Sequence, residues 1–283
     1  MVLAIGALAP LLLVGCRLPL GEGPVSRSLA ASRQLSHRGV NALERGDPQR
    51  AHSLLAEAVK LCPADAEARR NYGEALWQCG DRSGAVAQLD EALRLTPDDD
   101  QLHVVAGQMR LEAGDLAGAL HDADEAMHLN PTSSTAWALH GRAQLRSGQP
   151  RQALNDLHRS LGLAPGDRDV LLALANAYRA LNQPTRALIC LQSLADTYAP
   201  GEEPQHVLYL QGLALAAMDR PNDAVQCFLA ARDRGPPTQI LLEQLAAAQQ
   251  AAGRADDAQR TLAEIPGPAA DMVRRDTPAA EMR

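Results

Sequence analysis

Residues 66–99 read AEARRNYGEALWQCGDRSGAVAQLDEALRLTPDD, residues 100–133 read DQLHVVAGQMRLEAGDLAGALHDADEAMHLNPTS, and residues 134–167 read STAWALHGRAQLRSGQPRQALNDLHRSLGLAPGD. Aligned, they agree in a few columns and differ elsewhere. Gly73, Gly107 and Gly141 coincide, as do Gly80, Gly114 and Gly148, then Ala85, Ala119 and Ala153, and finally Pro97, Pro131 and Pro165. Each column continues one step upstream, to Gly39, Gly46, Ala51 and Pro63. Four independent columns sharing a 34-residue step mark a repeated supersecondary unit.

Each column has a physical reason. The first glycine lies where two helices meet, and a larger side chain there would push them apart. The alanine opens the second helix and plays the same part from the other side. The second glycine can take the left-handed backbone that ends a helix. The proline closes the unit, because it lacks an N–H and clashes with the preceding turn. Aspartates after it, as in Pro97-Asp98-Asp99-Asp100, can cap the next helix. A unit is therefore a helix, a turn and a helix. Units start at residues 32, 66, 100, 134 and 168, with Asn182 replacing the turn glycine in the fifth. A short insertion around Ala199-Pro200-Gly201 shifts the frame by three. A sixth unit then starts at Gln205, with Gly212, Ala224, Phe228, Ala231 and Pro236 in register and Asp219 at the turn. A weaker seventh starts at Gln239, with Ala246, Gly253, Ala258 and Leu262.

Composition agrees. Of 283 residues, 46% are hydrophobic and only 2% aromatic, so the core must be Leu, Ala and Val. Close-packed helices suit that, whereas sandwiches and barrels lean on β-branched and aromatic residues. The net charge of −7 lacks the basic footprint of a nucleic-acid binder.

A helix–turn–helix of this length with these columns resembles the tetratricopeptide repeat. The resemblance covers residues 32 to about 266. It implies an all-α solenoid of about seven helical hairpins wound as a right-handed superhelix. One hairpin cannot bury its own apolar face, so stacked neighbours make the core. The resemblance also implies a binding surface, on the side of each first helix that faces the inner curve. Carried over by register, this gives His37, Val40, Leu43, Arg70, Asn71, Glu74 and Trp77 in units one and two. Units three and four contribute Val104, Gln108, Leu111, Arg142, Leu145 and Arg146. Units five and six contribute Leu172, Asn176, Arg179, His206, Tyr209 and Leu213.

Trp77 and Tyr209 fall off the packing positions and are expected to point into the groove as anchors, since Trp, Tyr and Arg are enriched among binding hot spots. Trp137, Tyr178 and Phe228 fall on packing positions and are expected in the core. Arg70, Arg142, Arg146 and Arg179 suggest a basic stripe suited to an acidic or C-terminal peptide, whose carboxylates arginine can hold bidentately. Asn71 matches one position of the family's carboxylate clamp, but Val40 stands where another Asn is needed. Binding of chaperone tails is therefore not expected.

The ends differ from the repeats. Residues 1–15, MVLAIGALAPLLLVG, are apolar and too short to cross a bilayer, which takes about 20 residues. They suit the apolar core of an export signal. Leu13-Val14-Gly15-Cys16 resembles a bacterial lipobox, which implies cleavage before Cys16, acylation of its thiol and a place in the cell envelope. Arg17, a non-acidic residue after the cysteine, favours the outer membrane by the same resemblance. No Lys or Arg precedes the apolar run, a departure from the signal pattern that leaves a cytoplasmic adaptor with a misread start as the alternative. Residues 16–31 are expected to be a flexible tether, and residues 267–283, rich in proline, a disordered tail.

No catalytic motif stands in a plausible context, and no enzyme activity, cofactor or small-molecule substrate is expected. His121 and His128 lie seven apart among acidic residues, but a metal site needs three converging ligands, and none is expected. Cys190 and Cys227 sit on equivalent positions of neighbouring second helices. Packed helix axes lie about 8–10 Å apart, too far for a disulfide. Cys62 and Cys79 are no better placed. The sequence thus points to a non-catalytic adaptor binding a protein or peptide partner and anchored to the envelope by lipid. A narrower expectation is an assembly factor for an envelope machine such as a type IV pilus.

Overall fold

The register read from the sequence is the register of the helices. In the computed structural model, which describes residues 24–265, the first helix of a unit opens at the expected residue in six of seven cases. These helices are α3 (Ala66–Gln78), α5 (Asp100–Ala113), α7 (Ser134–Arg146), α9 (Arg168–Ala180), α11 (Gln205–Ala217) and α13 (Gln239–Ala251). The second helices are α2 (Pro48–Leu61), α4 (Arg82–Leu95), α6 (Leu116–Leu129), α8 (Pro150–Leu163), α10 (Pro184–Ala195), α12 (Pro221–Asp233) and α14 (Ala255–Ala263). There is no strand among the described residues.

The exception is α1, which runs Pro24–Glu44. Residues 24–31, expected as tether, are its first two turns. Two prolines and two glycines in residues 17–31 suggested a linker, yet all four lie at or before Pro24, and Pro is tolerated in a helix's first turn. The signal stretch, Cys16 and the tail lie outside the described residues.

Capping fixes the boundaries. Asp65, Asp99 and Asp167 precede first helices and accept hydrogen bonds from the N–H groups of Ala68, Leu102 and Val170, at 3.1, 3.0 and 3.1 Å. Asp47, Asp81 and Asp115 do the same before second helices. Between the helices the turn residue is left-handed throughout, at Gly114 with φ 89° and equally at Asn182 with φ 52° and Asp219 with φ 57°.

A further column emerges at the fourth position of the first helix. Arg69 Nε, His103 Nε2 and Trp137 Nε1 reach the carbonyl oxygens of Pro63, Pro97 and Pro131, at 2.7, 3.0 and 2.9 Å. Three unrelated side chains bond the carbonyl of the proline that ends the preceding helix. Trp137, expected in the core, is instead half-exposed over this turn, with the Arg159 guanidinium 4.6 Å from its ring centroid. Tyr178 and Phe228 are buried as their positions require.

The chain divides between Leu95 and Thr96 into two compact units. The first holds α1–α4 around Ala42, Ala51, Leu55 and Ala75. The second holds α5–α14, each hairpin packed on the next. Its core is aliphatic apart from Tyr178 and Phe228, and the Phe228 ring fills the space that a glycine leaves at 212. The insertion between α10 and α11 is held at both ends. The Arg168 guanidinium stacks 4.0 Å from the Tyr198 centroid and bonds Thr197, while Gln205 Nε2 donates to the Ala231 carbonyl at 3.1 Å.

Candidate partner-binding groove

Helical hairpins repeated at a constant step expose one side of every first helix, and those sides carry most of the residues expected to bind. In the first unit, Ser36, His37, Val40 and Asn71 help to line an open cleft of about 280 Å³ between α1 and α3. Asn71 Nδ2 donates to Ser36 Oγ at 3.1 Å, which ties the cleft's floor across the two helices. Arg70 and Glu74 are exposed on α3. Trp77 is half-buried rather than free, with the Arg82 guanidinium 5.4 Å from its ring centroid.

In the second unit the larger cleft, about 500 Å³, lies between α9 and α11. Asn176, Arg179, Ala180, Leu213 and Ala217 line it, so three of the expected contacts converge. Arg179 is exposed, and its Nη1 donates to Asn176 Oδ1 at 3.2 Å, one turn back on the same helix. Alanines on the facing helix keep the cleft open, while Leu213 gives it an apolar wall continuous with the core. Leu213 and the alanines beside an exposed guanidinium suit a peptide carrying a carboxylate.

Other expected contacts belong elsewhere. Val104 is 4% exposed and packs on Ala126 and Ala136. Leu111 is fully buried among Ala119, Ala123, Leu139 and Ala143. Both are removed from the groove, because Ala136, Leu139 and Ala143 of α7 cover that side of α5. Leu145 and Leu172 are half-buried against neighbouring clusters and offer only an edge. Tyr209 leans on Phe228, with ring centroids 5.8 Å apart, so it is part of the core wall rather than a free anchor. Arg146 Nη1 is bound to the Leu111 carbonyl at 2.7 Å, where it completes the end of α5. Gln108 and Arg142 are half-exposed. Of the arginines expected in a basic stripe, Arg70 in the first compact unit and Arg142 and Arg179 in the second remain at least partly exposed without such a bond to a neighbouring repeat.

Two titratable clusters lie outside the groove. Asp122 is buried between Arg110, which bonds it directly, and His103, whose Nδ1 is 3.5 Å from Asp122 Oδ1. Burial raises the Asp122 pKa, while hydrogen bonds and charge from Arg110 and then His103 oppose the rise. The cluster joins α5 to α6. His140 Nδ1 lies 2.8 Å from Asp156 Oδ2, and its Nε2 lies 3.4 Å from Asp124 Oδ1. The hydrogen bond to Asp156 raises its pKa; burial opposes this, and the charges of Asp156 and Asp124 add to it. Neither cluster was legible in the repeat columns, because both occupy positions that vary between units. The four cysteines among the described residues are free thiols. No group of three His, Cys, Asp or Glu residues among them converges as a metal site, and His121 and His128 are exposed and apart from one another's helix turn.

This geometry defines a helical-hairpin repeat protein with clefts between its first helices. A family model described as Tetratricopeptide repeat matches residues 42–107 and 144–211. The matched stretches are tetratricopeptide repeats. No curated protein matches the sequence. Among solved structures, one titled as the functional characterization of pilF from Pseudomonas aeruginosa is 18% identical, with a TM-score of 0.67 over 79% of this chain and 99% of that one. PilW, titled a widely conserved type IV pilus biogenesis factor, is 18% identical, with a TM-score of 0.68 over 76% of this chain and 97% of that one. YrrB, titled a protein with an unusual peptide-binding site, is 19% identical, with a TM-score of 0.53 over 69% of this chain and 97% of that one. At these identities the likeness is one of fold.

Proposed function

We propose that this protein is a non-catalytic scaffold that grips a protein or peptide between its first helices and is held to the bacterial cell envelope through a lipidated Cys16. The observation that carries the binding reading is the cleft of about 500 Å³ where Asn176, Arg179 and Leu213 converge. An exposed arginine beside an apolar wall recognises an extended segment with an acidic group and needs no chemistry. The narrower reading is an assembly factor for an envelope machine such as a type IV pilus. It is supported by the lipobox-like Leu13-Val14-Gly15-Cys16 and by likeness in fold to two proteins whose titles name pilF and a type IV pilus biogenesis factor.

Crosslinking pull-down from the native host tests the groove. Asn176→Ala/Arg179→Ala is expected to lower recovery of the principal partner at least tenfold, about 1.4 kcal/mol. Both side chains are partly or wholly exposed, so thermal stability should move by less than about 0.5 kcal/mol. Undiminished recovery of every partner would remove the cleft as the binding site. Labelled palmitate should enter the wild type and not Cys16→Ser. Label that persists in the variant, or never enters, would refute the anchor.

A further inference from the structure

The first hairpin carries a basic cleft that the partner groove does not use. Arg38, Asn41, Arg45, Asp47, Arg50 and Leu54 line an open space of about 430 Å³ along α1 and α2. The three arginines are exposed, and none makes an ion pair among the described residues. Asp47 is the one carboxylate in the lining, and its Oδ1 is engaged in capping α2, accepting from Arg50 N at 3.0 Å. Glu44 is exposed nearby but does not line the cleft.

The repeat register says what kind of surface this is. Arg38 occupies the seventh position of its unit, which in the fourth unit is His140. That histidine faces the preceding second helix, meeting Asp124 of α6 at 3.4 Å. The face around Arg38 is thus the one that a preceding hairpin covers in later units. Here α1 packs on α2 and α3, and the opposite face is open among the described residues. Later units carry Tyr72, Ala106, His140 and Leu174 at the Arg38 position and Cys79, Ala113, Ser147 and Leu181 at the Arg45 position, where this hairpin carries guanidinium groups.

Charge and chain position commit it to one occupant. In a chain of net charge −7, residues 24–61 hold five arginines and one lysine against three acidic residues. Eight residue steps separate Cys16 from Pro24, a reach of at most about 28 Å. On the lipid-anchor reading, on which this proposal rests, the first hairpin lies nearest to the membrane. We propose that the free face of α1 and α2, centred on Arg38, Arg45 and Arg50, docks on anionic phospholipid headgroups. The membrane then holds the first hairpin directly.

The test uses the full chain bearing Cys16→Ser, so that acylation plays no part, and vesicles of phosphatidylcholine with or without phosphatidylglycerol. The apolar N-terminal run contributes alike to both vesicles, so the ratio of the two affinities is read. A preference for phosphatidylglycerol that falls with added salt is expected. Each basic residue near an anionic surface contributes about 1 kcal/mol, so Arg38→Gln/Arg45→Gln/Arg50→Gln should reduce the preference on the order of a hundredfold. Arg94→Gln/Arg151→Gln/Arg260→Gln, with the same change in charge, should retain it, and circular dichroism of both variants should match the wild type. Equal affinity for the two vesicles, or a preference that survives the first triple substitution, overturns the proposal. So does a preference abolished by millimolar inorganic phosphate, which would make this a site for a free anion. Palmitate labelling without the lipid preference sinks the surface and leaves the anchor; the preference without labelling does the reverse.

Discussion

Gly114 ends α5 with φ 89° and ψ 3°, a conformation in which a Cβ crowds the backbone. A side chain there would meet nothing within 4 Å, so the cost of replacement is confined to the backbone itself. Gly114→Ala should lower stability by about 1–2 kcal/mol, read as a lower urea midpoint at unchanged slope. Gly114→Asn should cost less, because asparagine already holds this conformation at Asn182. Gly141 is glycine for a different reason. A Cβ there would lie 2.7 Å from Leu157 Cγ and 3.2 Å from the Ala153 carbonyl oxygen, both on the partner helix. One column of glycines thus records backbone conformation and the other records contact. Both readings were available from spacing alone, because position in the unit distinguishes a turn from a helix interior.

At the scale of the element, His140 joins three helices. It projects from α7 to Asp124 on α6 and Asp156 on α8. The hydrogen bond to Asp156 leads in raising its pKa, so the folded state binds the proton more tightly than the unfolded chain does. The stabilisation is fully present below the unfolded value, about 6.5 for histidine, and is lost as pH rises through the raised folded value. His140→Gln should therefore destabilise the protein more at pH 6 than at pH 9, measured by denaturant titration at both. A difference independent of pH would show that the ion pair contributes nothing. This element-scale contact was not legible in the sequence. His140 and Asp156 are 16 residues apart on different helices, and only the crossing of α7 and α8 brings them together. The same holds for Asp122, Arg110 and His103. By contrast, the aspartate caps were legible, because a cap acts within three residues of itself.

Across the second unit, each hairpin packs mainly on its neighbours, so stability is a sum of repeats and nearest-neighbour interfaces. A defect should stay local. Gly141→Leu should raise amide hydrogen exchange in α7 and α8, extend to α6 and α9, and leave α13 and α14 near wild-type protection. Uniform loss of protection from α5 to α14 would mean that the unit melts as one body. The binding surface also belongs to this scale, and here the register was an incomplete guide. It assigned Asn176, Arg179, Leu213, Asn71, His37 and Val40 to the groove, and the first three of these line one cleft and the last three another. It also placed Val104 and Leu111 in the groove, where α7 covers them, and it gave Arg146 to a ligand although the Leu111 carbonyl holds it. By itself the sequence determined the hairpins, their boundaries, their turns and their order. These depend on local backbone conformation and on a hydrophobic pattern repeated every 34 residues. Only the tertiary structure decided which side chains of a first helix remain open to a partner, because exposure depends on how far the next hairpin leans across, and that is set by side chains a full repeat away.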